Sequence, residues 1–163
     1  MNDEKIHDIA VAYILKHSAN LAKSATLIGA PHPSLVPHLT LAEGERVLVS
    51  AFFSKSSWYV FTTRRITSQF QGVLHSLDPC HGITDDFPNF KGFKPGNHSK
   101  PGAVPREVAT ICTADNSDSV RFEFETWEAA MAPIYAARYW DRKHPILHKL
   151  MTPAELEKYK RRV

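Results

Sequence analysis

Between residues 46 and 77 the chain carries four short runs rich in β-branched and aromatic residues, 46–53, 58–62, 65–70 and 72–77, with very little between them. That spacing restricts how they can pair. Two parallel strands need a crossover of roughly a dozen residues or more, whereas antiparallel neighbours need only a tight turn. The segment is therefore predicted to fold as an antiparallel meander.

Further along, residues 107–113 and 119–125 flank the turn residues Asp115, Asn116, Ser117 and Asp118, and the second run alternates strictly between polar and apolar, the mark of a half-buried strand. Thr126 offers a cap to a helix after this hairpin. Trp127, Met131, Ile134 and Arg138, with Ala130 and Ala137, form its stripe to about Arg142, and Pro133 is expected to kink it. At the other end of the chain Ile6, Ile9, Ala10, Tyr13, Ile14 and Leu21 fall on one helical face, with Asn2 or Asp3 as cap and acidic residues suiting the helix dipole.

Two stretches lack such periodicity. Residues 29–38 hold Pro31, Pro33 and Pro37 and read as an extended connector. Residues 78–105 carry five prolines and four glycines among aromatic and basic residues and read as one long loop, a kind of segment that in compact domains is usually functional or disordered. Thr152 and Pro153 open a last short, exposed helix reaching Arg162. The expected organisation is one folded domain: an N-terminal helix and connector at 1–40, a core at 41–142 containing the long loop, and a helical tail at 143–163. The fold class is α+β, with about six to seven antiparallel strands forming a bent sheet or partly open barrel and a helix at each end.

A chain of 163 residues with 43% hydrophobic and 23% charged residues can bury a core, which excludes general disorder. Its net charge of +3 is too small to support a nucleic-acid partner, and the basic residues at 91–100 and 158–162 read as solvated runs. Cys80 and Cys112 are too few for a disulfide framework, which fits a reducing, cytoplasmic location. Neither a secretory signal nor an apolar run of membrane-spanning length is visible.

Two local patterns carry a resemblance. Glu43-Gly44-Glu45-Arg46-Val47-Leu48 resembles the strand entry of bacterial pleckstrin-homology-like domains, and Tyr59-Val60-Phe61-Thr62-Thr63-Arg64-Arg65-Ile66 is similar to their turn between second and third strands. The order of meander, hairpin and closing helix matches as well, over residues 41–142. The resemblance implies a bent sheet plugged by the final helix and used to bind peptides, proteins or lipid headgroups. It fixes no ligand.

The candidate chemistry lies mostly in the long loop. Asp85, Asp86, Phe87, Phe90, Lys91, Phe93 and Lys94 mix aromatic anchors with charges, as a partner-binding surface does; alternatively the phenylalanines tuck into the sheet and hold the loop down. Arg64, Arg65 and Lys100 form a candidate anion site. His75, Asp78, Cys80 and His81 could supply metal ligands or a cysteine nucleophile, but their spacing fits no metal pattern, and Pro145 disfavours a helical pairing of His144 with His148. No metal, catalytic residue or cofactor is expected. The leading expectation is a non-catalytic protein-binding domain, of the kind formed by small bacterial inhibitors, adaptors or immunity proteins that neutralise a toxin or effector. The alternatives are a module binding lipid headgroups or other anions, and a metal- or cysteine-dependent hydrolase.

Overall fold

A computed structural model describes residues 2–18, 21–80, 82–92 and 106–140. Helix α1 (Asp3–His17) begins where Asn2 Oδ1 accepts the Lys5 N–H at 3.3 Å, and it buries Ile6, Ala10 and Ile14 along one face. Asp3, the other candidate cap, is itself buried and turns its carboxylate towards Arg64.

Strands β1 (Thr26–Ile28), β2 (Val47–Ser54), β3 (Ser57–Thr62), β4 (Ile66–Phe70) and β5 (Val73–Leu77) pair in chain order as a five-stranded antiparallel sheet. The joint between β4 and β5 is only Gln71 and Gly72, both with positive φ, which gives the backbone the twist a two-residue hairpin needs. Strands β6 (Ile83–Asp86), β7 (Arg106–Thr113) and β8 (Ser119–Glu125) form a second antiparallel sheet of three. A 3₁₀ turn at Trp127–Ala130 then leads into helix α2 (Met131–Trp140), which packs on α1 and β2. The fold is thus α+β with an N-terminal and a C-terminal helix, and among the described residues it is built on two antiparallel sheets with no closed barrel.

The core lies where β8 crosses β3 and β4. Val120, Phe122 and Phe124 alternate inward from β8 and meet Tyr59 and Phe61 of β3, all fully buried. Phe122 sits 4.6 Å from Tyr59 and 5.8 Å, edge on, from Phe61 between ring centroids. Polar bonds tie the sheets at the same crossing: Ser68 Oγ donates to the Arg121 carbonyl at 2.8 Å, and Ser57 Oγ donates to the Glu123 carboxylate.

Several sequence expectations need correcting. Eight strands are present among the described residues; the two beyond the expected runs are β1 and β6, each short and held by a longer neighbour rather than by its own alternation. The 78–105 loop is accordingly interrupted by β6. Pro33–His38 is a 3₁₀ helix rather than an extended connector, its first proline lying where no N–H is needed and His32 Nδ1 accepting the Ser34 N–H at 3.2 Å. Leu35 pins it to a second small core with Val47, Trp58 and Val60. Pro133 falls in the first turn of α2, where its missing N–H has no intrahelical partner to lose, so it does not interrupt the helix. The tail at 143–163 lies outside the described residues.

Candidate partner-binding site

The arginines expected to take an anion are engaged by the chain's own carboxylates. Arg65 donates from Nε and Nη2 to the two Glu45 oxygens at 3.0 and 2.9 Å, and Nη2 also reaches the Thr40 carbonyl at 2.6 Å. Thr62 Oγ1 and the Ala42 N–H donate to the same carboxylate at 2.6 and 2.8 Å. Arg64 does likewise for Asp3, from Nη2 at 2.7 Å and Nε at 3.1 Å, with Thr63 Oγ1 adding a bond at 2.6 Å. Burial pushes both carboxyl groups up, but these hydrogen bonds and the arginine charges outweigh it and hold both below their ordinary values. The two sequence patterns, Glu43-Gly44-Glu45 and Thr62-Thr63-Arg64-Arg65, therefore meet in one ion-paired clasp. Lys100, the third expected member, lies outside the described residues.

The loop residues divide. Asp85 and Asp86 are exposed on β6, opposite Ile111 and Thr110, and Lys91 is exposed. Phe87 is half-buried against Phe122 and Phe124, with centroids 6.0 and 5.3 Å away, and Phe90 packs half-buried on the same core. Both rings hold the loop down, the alternative named above. Asn89, at φ 47°, turns the chain here and donates from Nδ2 to Glu107 Oε1 at 3.0 Å. Phe93 and Lys94 lie outside the described residues.

What the turn at 89–92 does present is its backbone. The Phe90 carbonyl accepts the Trp127 N–H at 2.6 Å, and Trp127 is the residue that the helical stripe placed on the core. It is instead 53% exposed, with φ at 68°. A left-handed backbone at so bulky a residue costs of order 1–3 kcal/mol and persists only where the surroundings impose it. Here Phe90 fixes the amide and the buried Ala129 and Ala130 fix the turn that follows. Thr126, the expected cap, makes no side-chain capping bond. Trp127→Gly should be more stable than Trp127→Ala by about 1 kcal/mol, because only glycine adopts this φ freely; equal denaturation midpoints for the two variants would rule the strain out.

Beside Trp127 lies a cavity of about 340 Å³ lined by residues 22–24 and 125–129. Glu125, at the end of β8, is among its lining residues. The strand's alternation would leave Glu125 on the wet face, yet it is 7% exposed, because the segment leading into β1 closes over it. Ser24 Oγ donates to it, as do the Ala25 N–H at 3.1 Å and Thr26 Oγ1 at 2.8 Å. Thr26 Oγ1 is also 3.4 Å from the Tyr59 hydroxyl. Burial drives the Tyr59 phenol far above its usual range, and the negative charge of Glu125 adds to the rise against the Thr26 bond that opposes it.

The hydrolase candidates are described only in part. Asp78 Oδ1 accepts the Cys80 N–H at 2.9 Å, as a local turn does, Cys112 is half-buried on β7, and His81, His144 and His148 lie outside the described residues. Among the described residues no group of three or more His, Cys, Asp or Glu is placed to hold a metal ion. Among them, too, no helix is long and apolar enough to cross a membrane. No family model, no curated protein and no solved structure matches the chain.

Proposed function

We propose that this chain is a non-catalytic protein-binding domain on a pleckstrin-homology-like scaffold, of the inhibitor, adaptor or immunity class, and that it meets its partner through the face built by Trp127, the cavity beside it and the turn at 89–91. The observation that carries this reading is Trp127 itself: a large aromatic ring, half exposed, kept at the rim of a cavity by a backbone conformation that burial in the core does not require. Tryptophan is among the residues that dominate binding energy when they enter a partner's surface, and strain of this kind collects at binding sites. The lipid-headgroup alternative loses support because Arg64 and Arg65 face Asp3 and Glu45.

The test is affinity capture from the source organism's lysate with the tagged chain, beside Trp127→Glu and Lys91→Glu, each verified by circular dichroism. A single protein held by the parent chain should be weakened by about thirtyfold or more in Trp127→Glu, the loss expected of a binding hot spot. Capture untouched by Trp127→Glu would overturn the assignment of the face. Phe90→Glu is unsuitable, because its ring belongs to the core packing.

A further inference from the structure

We infer that the cavity beside Trp127 receives a basic side chain, arginine foremost, presented by the partner protein; the inference rests on the protein-binding reading above and specifies its chemistry. Three features of the cavity agree. Glu125 is a carboxylate almost withdrawn from water, whose hydrogen bonds come from two hydroxyls and an amide, all neutral, and no described cation is in ion-pair contact with it. Buried carboxylates ordinarily face a cation. Glu128 and Lys23 also line the cavity, so among the described lining residues two acidic groups stand against one basic group. Finally, the indole of Trp127 supplies an electron-rich face, over which guanidinium groups sit favourably.

Other occupants fit less well. An acidic side chain would meet Glu125 and Glu128. An apolar one would strip the remaining water from Glu125 and return no charge. Arginine alone combines a planar cation for the indole with a fork of donors for a carboxylate, and a cavity of about 340 Å³ has room for its side chain.

The ¹⁵N-labelled full chain is titrated with the tripeptide acetyl-Gly-Arg-Gly-amide, reading the indole N–H signals. Trp58 and Trp140 are only 4% and 2% exposed, so their signals report on the intact fold while that of Trp127 reports on the cavity. The expected result is a saturable shift of the Trp127 signal alone at millimolar concentration, with the citrulline tripeptide, the neutral isostere, at least about tenfold weaker. Glu128→Gln, an exposed change, should weaken the arginine probe about threefold, and Glu125→Gln should weaken it further with the Trp58 and Trp140 signals unmoved. Lys23→Gln should strengthen it. No saturable shift into the tens of millimolar, or equal binding of the citrulline probe, overturns the inference. If capture of a protein still depends on Trp127 while the arginine probe fails, the charge assignment alone falls. If the probe binds and no capture depends on Trp127, the partner reading falls and only a cation subsite remains.

Discussion

Phe122→Ala is expected to lower the unfolding free energy by about 4 kcal/mol, a large share of the usual total of about 5–15 kcal/mol. Phe122 is fully buried where β8 passes over the first sheet, and its ring touches Tyr59, Phe61 and Phe87 at 4.6, 5.8 and 6.0 Å between centroids. What remains after truncation is a cavity whose walls cannot close. The two sheets are held at their spacing by the bonds from Ser68 to the Arg121 carbonyl and from Ser57 to Glu123, one residue to either side. The cost of a large-to-small change rises with the volume that fails to collapse, which places this site at the high end. Phe53, half-buried under Arg106 with the guanidinium 4.9 Å from the ring, provides the control. Phe53→Ala should cost less than half as much, because its ring still borders solvent. Urea denaturation of both variants decides the point: equal losses would mean that the crossing at Phe122 is not the rigid centre described above.

The elements that could be read from the sequence are those whose pattern is local. The meander from β2 to β5 follows from runs of apolar residues with gaps too short for a crossover, and the β7–β8 hairpin from alternation around Asp115–Asp118; both are present. β1 and β6 have three and four residues and exist because β2 and β7 offer free backbone groups along the edges turned away from β3 and β8. No window of sequence carries that information. The proline-rich stretch was misread for a related reason: proline excludes a helix interior, but a 3₁₀ turn anchored by Leu35 demands little of the backbone beyond what Pro33 already supplies.

The candidate site was legible only in part. Phe87 and Phe90 stood out as aromatics in a loop, and composition alone cannot say which way a ring turns. Trp127 was assigned to the core because Met131, Ile134 and Arg138 follow it at helical spacing, but the helix proper starts at Met131, and a positive φ at residue 127 leaves no mark on the one-letter code. Glu125 was hidden by its own strand's alternation, since the residues that bury it, Ser24 to Thr26, lie about a hundred positions away in the chain. One signal was available. The acid at Glu45 and the Thr62-Thr63-Arg64-Arg65 run are complementary in charge and hydrogen bonding, and their meeting could have been argued from chemistry as readily as an anion site was.

That clasp sets the second large effect, an acid-sensitive stability centred on Asp3 and Glu45. Each carboxylate is buried, each faces an arginine and a threonine hydroxyl, and together they fasten the start of α1 and the approach to β2 onto the turn between β3 and β4. Both folded-state pKa values lie below the ordinary 3.8 and 4.5. A carboxyl group with a depressed folded pKa binds protons more readily when unfolded, so its contribution is complete above the unfolded value and is lost as the pH falls through the folded one. Stability should therefore hold from neutral pH down to roughly pH 5 and then fall steadily through pH 4 and pH 3. Asp115, held at about 2 by hydrogen bonds from Thr113 and Ser117, titrates lower in the same direction, so the acid limb belongs to the clasp only to the extent that removing the clasp flattens it. Glu45→Gln is expected to cost about 2 kcal/mol at pH 7, a value at the low end for a buried pair because Arg65 keeps 40% of its side chain in solvent. Asp3→Asn should behave alike, and the double variant should lose less than the sum only if the two pairs act as one unit. The decisive comparison is the difference between parent and double variant in urea at pH 7, 5, 4 and 3. It should shrink as the pH falls below the ordinary values of 3.8 and 4.5, because the unfolded carboxyl groups then take up protons that the folded ones resist; a difference constant across that range would show that the two residues act through shape alone, with no part played by their charge.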